Sequence, residues 1–200
     1  VSRAGRFNSI GSLWRASGAS VASMRRLAQA DAMQSMGLDR QASLWQIRPL
    51  RDEPMPLFEA CIADDEVPES LPTITSERLV LHDYNATGLS LKAHPMSFMR
   101  ASLDKRSVTP NADLRSERLC PQGRTVEVAG LVLVRQRPGT ASGVVFITLE
   151  DETGICNLIL WSTVFEAFRK TARLSTTLLA KGRVERSGEV VHVHVQRLES

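Results

Sequence analysis

Aromatic side chains are scarce in this 200-residue chain: Phe, Trp and Tyr make up 5% of it, with a single tyrosine. A protein that grips unpaired bases by stacking needs several rings on its binding face, so the composition argues against a strong ring-based grip. Cysteine is also thin. Cys61, Cys120 and Cys156 are odd in number and widely spaced, with no CxxC pair. That excludes a disulfide framework and a zinc cluster and fits incidental thiols in a reduced, cytoplasmic setting. No stretch approaches the roughly 18 uninterrupted apolar residues of a membrane span. The first residues carry neither a signal-peptide nor a transit-peptide pattern, and a chain that opens on Val1 reads as an excised piece of something longer.

The formal charge of +3 conceals an uneven distribution. Residues 1–50 hold seven Arg against two Asp, residues 51–100 hold four basic groups against nine acids, and residues 101–200 hold fourteen basic against eleven acidic groups. Two basic ends joined by an acidic middle concentrate phosphate-binding capacity at the ends, and the connector would avoid a duplex.

Helical spacing dominates the first 48 residues. Ile10, Leu13 and Trp14 recur at helical intervals, Ser17-Gly18-Ala19-Ser20 interrupts, and Val21, Met24, Leu27 and Ala28 resume the pattern. Gly18 can take the positive φ of a tight helix-to-helix turn, and Ser20 is placed to cap the second helix. A third helical stretch is predicted from about Asp31 to Met36, stopped by Gly37. A fourth runs from its cap Asp39 to Ile47. Residues 49–75 read as a linker, with Pro49, Pro54, Pro56, Pro68 and Pro72 among Asp64, Asp65, Glu66 and Glu69. Residues 76–122 form a helical connector, with helices predicted over 76–88 and 95–103.

From Arg124 the period changes to two. Strands are predicted from Arg124 through Arg135, over 144–149 and 155–161, then a helix over 163–172, then strands over 178–185 and 190–198. Five strands with a helix between the third and fourth give an OB-fold over 123–200, its first strand bent at Gly130. The fold class is therefore α+β multidomain: a helix-hairpin-helix segment (1–48), the linker, the connector and a five-stranded OB barrel.

OB-folds hold ligands on the face of their second and third strands and in the adjoining loops. The candidates are Arg135 and Arg137 at the stem of the first loop, Phe146 and Trp161 as stacking rings or core, and Lys181 and Arg183 facing outward on strand four. In the helical segment, backbone N–H groups of Gly18, Ala19 and Ser20 would meet a phosphate, with Arg15, Arg25 and Arg26 flanking. His192 and His194 share one strand face without a third metal ligand. Glu150-Asp151-Glu152 sits in a hairpin turn, where acids serve solubility and turn chemistry.

Taken together these segments resemble the C-terminal part of bacterial DNA polymerase III α-type (C-family) enzymes, nearest the error-prone, ImuC-like branch. The resemblance rests on Phe7–Trp45 with its closing Gly37-Leu38-Asp39-Arg40-Gln41-Ala42-Ser43-Leu44-Trp45, on Asp83-Tyr84-Asn85-Ala86-Thr87-Gly88-Leu89-Ser90 with His94-Pro95-Met96, and on Phe146–Gly154. It implies a DNA-binding, non-catalytic region whose parent polymerase carries its catalytic aspartates and Mg2+ in a palm domain upstream. It also implies a clamp-binding peptide of the form Gln-x-x-Leu/Met-Phe in the linker. Here Pro54-Met55-Pro56-Leu57-Phe58 keeps Leu57 and Phe58 but has Pro54 where the glutamine belongs. Recruitment through an accessory partner, ImuB in that branch, is then expected over direct clamp binding. The competing expectation is a protein-interaction module that touches DNA little.

Overall fold

A computed structural model describes residues 7, 9–52, 71–139, 143–188 and 190–200. Its contacts fall into two units, Val1–Lys92 and Ala93–Ser200. The linker peptide with Pro54, Leu57 and Phe58 lies outside the described residues, as does Cys61.

In the first unit, α1 (Ile10–Ser17) starts at a capping box in which Ser9 and Ser12 exchange side-chain-to-backbone bonds. It stops because Gly18 turns left-handed at φ 64°, where a Cβ would be strained. Ser20 then caps α2 (Val21–Gln29) by accepting from the Ser23 N–H, and Asp39 caps α3 (Arg40–Ile47) by accepting from the Ala42 N–H. The helix expected from Asp31 to Met36 is only a single 3₁₀ turn, Gln34–Met36. The reason is local: Asp31 sits at φ 59°, a conformation no α-helix continues through. Ile10, Met24, Ala28, Met33, Ile47 and Leu50 form the small apolar core.

α4 (Ser76–Thr87) joins the same unit through charge. The buried Arg40 guanidinium donates to the Leu79 carbonyl at 3.3 Å and to the Asp83 carboxylate. Asp83 also accepts from Ser90 Oγ at 2.7 Å and Lys92 Nζ at 3.0 Å, and Lys92 reaches Asp31 at 3.0 Å. Burial alone would raise the Asp83 pKa, but the hydrogen bonds from Ser90, Arg40 and Lys92 outweigh it and bring it down to about 2.

The second unit is a closed barrel of β1 (Thr125–Gln136), β2 (Val145–Asp151), β3 (Gly154–Leu160), β4 (Thr177–Ser187) and β5 (Val190–Glu199), ordered β1-β2-β3-β5-β4. Among the described residues only β3 and β5 run parallel. β1 serves both ends of the sheet, pairing with β4 up to Leu131 and with β2 from Leu131 onward. At Gly130 the β2 backbone crosses so closely that a Cβ would lie 2.5 Å from the Glu150 carbonyl oxygen. The strand is further displaced by a bulge between Val132 and Val134. The interior is lined by Val126, Val128, Ile147, Leu149, Leu158, Leu160, Val184, Val193 and Val195 among others, all buried. Val191 is partly buried against this core.

α5 (Arg100–Lys105) precedes the barrel. The helix expected over 163–172 is two, α6 (Ser162–Ala167) and α7 (Arg169–Leu174). They are separated at Phe168, which leaves helical geometry at φ −114° and packs on the barrel core.

Asp151 at the end of β2 performs the turn chemistry expected of this acidic run and also holds the segment that precedes the barrel. Asp151 is buried and accepts from Arg100 at 2.9 Å, from the Asn111 N–H at 2.9 Å, and from Thr153 Oγ1 and the Thr153 and Gly154 N–H groups at 2.6–3.0 Å. Glu152 takes the Arg100 Nε. One carboxylate thus shapes the hairpin and pins the preceding segment to it.

Candidate functional site

Alternation sends every second side chain of a barrel strand outward, and the register brings these into rows. Gln136 on β1 is paired with Phe146 on β2, Phe146 with Ile159 on β3, Ile159 with His194 on β5, and His194 with Arg183 on β4. The neighbouring row is Val134, Thr148, Asn157, His192 and Glu185. The first row offers flat or apolar groups ending in a cation. The second offers hydrogen-bonding groups, with Thr148 Oγ1 and Asn157 Oδ1 at 3.1 Å. A strip of rings flanked by polar groups suits bases laid along a strand.

Trp161, just past β3, is 53% exposed and fixed at its edge, where its indole N–H donates to His194 Nδ1 at 3.1 Å. With Nδ1 accepting, His194 carries its proton on Nε2, which faces the Glu185 carboxylate. The Trp161 ring is therefore held in orientation while half of it stays open. Phe146 is partly buried on the same side. The two histidines belong to this wall, and among the described residues no group of three or more His, Cys, Asp or Glu could hold a metal ion.

The predicted cations divide. Arg183 sits on the strand face beside His194, whereas Lys181 is exposed and paired with Glu127 at 3.1 Å. Arg135 and Arg137 do not reach the β2–β3 face. The Val132/Val134 bulge precedes them, and both turn toward α6 and α7. Arg135 donates to the Ala172 carbonyl at 2.7 Å and to that of Ser175, closing the end of α7. The Arg137 guanidinium lies 5.3 Å from the centre of the Phe165 ring. Arg186, also basic and on β4, is spent on the Leu114 and Cys120 carbonyls at 2.7 Å.

In the helical hairpin, several turn amides already have partners: Gly18 N–H donates to the Trp14 carbonyl, Ala19 N–H to Ser17 Oγ and Ser23 N–H to Ser20 Oγ. The Val21 N–H donates to the Asp52 carboxylate at 2.7 Å. Arg25 and Arg26 are exposed on α2, and Arg15 is exposed on α1. Sequence reasoning missed Asp52 because its partner is 31 positions away. It also missed Ile159 and Asn157, which the two-residue period of β3 places on the same side as Trp161.

A closed five-stranded barrel in this order, with helical structure between its third and fourth strands, is an OB-fold, and residues 126–200 match the family model for the "OB-fold nucleic acid binding domain". Nearly the whole chain is similar to a region of error-prone DNA polymerases. It is 45% identical over 201 residues to "Error-prone DNA polymerase 2" of Rhizobium meliloti (strain 1021), covering 96% of this chain and 18% of that protein. It is 43% identical over 201 residues to "Error-prone DNA polymerase 2" of Agrobacterium fabrum (strain C58), with the same shares. The chain thus spans about 18% of the length of these relatives. Among solved structures, asparaginyl-tRNA synthetase from Pyrococcus horikoshii overlaps 39% of this chain and 20% of its own, at 29% identity and a TM-score of 0.33. No described helix is long and apolar enough to cross a membrane.

Proposed function

We propose that the chain is the DNA-holding, non-catalytic region of a cytoplasmic, error-prone bacterial DNA polymerase that acts in translesion synthesis during damage-induced (SOS) repair. The barrel takes the template single strand, and α1–α2, as a helix-hairpin-helix, takes the duplex backbone. The row Phe146–Ile159–His194–Arg183 is the observation that carries it, since it supplies stacking and apolar surface with a cation at one end. The nucleotidyl transfer of the parent polymerase and its Mg2+ belong to a palm domain outside this chain. Phe146→Ala with Trp161→Ala should lower single-strand affinity about tenfold or more, since a lost stacked base costs about 1–3 kcal/mol. Fluorescence anisotropy on oligo-dT reads it, and unchanged affinity would remove the strand face from the reading. Arg25→Ala with Arg26→Ala should weaken duplex binding and flatten its salt dependence.

A second reading has its own support. Leu133, Val134 and Ile155 are 50%, 44% and 46% exposed, an apolar fringe beside the strand face that suits a protein partner such as ImuB. Pull-down of such a partner by a chain that does not bind DNA would favour it. With Pro54 in place of the glutamine, little direct binding to the sliding clamp follows.

A further inference from the structure

Among the described residues, the strand face holds one cation without an acidic partner, Arg183, which is few for a surface that must follow a phosphodiester backbone. The missing positive charge is elsewhere on the barrel. Arg135, Arg137, Arg169 and Arg173 line a single groove of about 470 Å³, with Val145, Phe165 and Ala172 as its apolar floor. The groove lies between the end of β1, the loop that follows it, and the α6–α7 pair.

Two of these arginines have structural duties that leave their charge in place. Arg135 closes the end of α7 through carbonyl oxygens, which do not neutralise it, and Arg137 stacks on Phe165. The other two have none. The Arg173 side chain makes no hydrogen bond or ion pair among the described residues, and that of Arg169 has only Glu166 at 3.7 Å, the Arg169 and Glu166 side chains being more than half exposed. Arg169 and Arg173 are four apart on one short helix, so they face the same way and repel. Among the described residues, four guanidinium groups face one carboxylate, gathered where folding does not require all of them, and a polyanion relieves such an arrangement.

We propose that this groove is the barrel's phosphate site: the backbone of a single-stranded polynucleotide runs through it, its phosphates paired with Arg169, Arg173 and Arg137. The proposal rests on the reading of the barrel as a strand-holding module and moves its electrostatic half from the strand face to α7. Guanidinium forks pair two phosphate oxygens at once, and a row of arginines four residues apart on a helix spans adjacent phosphates.

The test uses the full 200-residue chain and labelled oligo-dT of about 16 nucleotides, read by anisotropy across a salt series. Arg169→Gln with Arg173→Gln should cut low-salt affinity at least tenfold and lower the log–log salt slope by about 1.4, because each lost phosphate contact on a single strand removes about 0.7. Arg169→Lys with Arg173→Lys should keep most of the slope. Circular dichroism checks that each variant is folded. If the unmodified chain binds no strand, the strand-holding reading falls and the groove with it. If it binds and the glutamine pair leaves affinity and slope unchanged, while Phe146→Ala with Trp161→Ala lowers affinity, the groove alone is overturned. If poly-glutamate binds the unmodified chain more tightly than the strand does, the groove is an acidic-peptide site and the proposal is likewise overturned.

Discussion

The helical unit and the barrel are held together by opposite means. The barrel has a continuous apolar interior, with Val128, Leu149, Leu158, Leu160 and Val193 fully enclosed, so burial supplies most of its stability. The helices are short, and their apolar core is a handful of residues around Ile10, Met24 and Ile47. What ties α4 to α3 is instead the cluster of Arg40, Asp83, Lys92 and Asp31. In both units the segment that carries the family resemblance is a clasp, with Asp83 at the centre of one and Asp151 at the centre of the other. Those acids hold the molecule in shape, while the groups free to meet a ligand lie on ordinary strand and helix positions.

The comparison breaks most visibly at Asp83. Asp83→Ala leaves the Arg40 guanidinium, 4% exposed, without its counter-charge, and a stranded buried charge costs about 3–5 kcal/mol. Helical content should fall while the strand signal in circular dichroism persists. Equal loss of both would mean that the two units do not unfold separately.

Asp151→Ala is the matching cut in the barrel. It strands the buried Asn111 N–H and the Thr153 and Gly154 amides, and an unsatisfied buried donor costs about 1–3 kcal/mol. Some of these will be rehydrated at the turn, so a loss of about 2–4 kcal/mol is expected by urea unfolding. A loss below about 1 kcal/mol would show that the apolar interior alone holds the hairpin.

Acid should separate the units by a smaller margin. The Asp83 pKa is depressed from 3.8 to about 2, so the folded state holds this proton less tightly than the unfolded state. The resulting stability is fully present above pH 3.8 and is lost as pH falls toward 2, for a total of about 2 kcal/mol. Helix stability measured from pH 5 to 2 should show this slope, and Asp83→Asn should remove it. An identical slope in the variant would place the acid sensitivity on other groups.

The difference between the units also governs what could be read from sequence. Caps and turns are local, so Gly18, Ser20 and Asp39 mark their helix ends in the one-dimensional pattern. Period-two alternation likewise shows the strands and most of the barrel core. What stayed hidden depends on distant partners or on a slip in register. Asp151 reads as a turn acid because Arg100 and Asn111 lie 51 and 40 positions away. Arg135 reads as a loop-stem arginine open to phosphate because its partners, the Ala172 and Ser175 carbonyls, lie 37 and 40 positions away. The Asp31 stretch looked helical on spacing alone, and a single left-handed residue ended it.

Asp52 offers the finest test, because it joins a structural contact to the proposed duplex site. Its carboxylate accepts from the Val21 N–H at 2.7 Å, at the helix start where a phosphate oxygen would bind if α1–α2 grips duplex backbone. A carboxylate there is favourable to the free helix, since it meets the positive end of the dipole. Toward DNA it acts as a resident competitor and a repelling charge. Asp52→Asn keeps the size of the side chain and removes the charge. Duplex affinity at low salt should rise about two- to fivefold, the scale of a single charge at a helix end, while single-strand binding by the barrel stays as it was. A rise on both substrates would mean that Asp52 acts through general charge rather than at this amide. No rise on either would place the duplex contact away from the Gly18–Ser20 turn, on the exposed arginines of α2 alone.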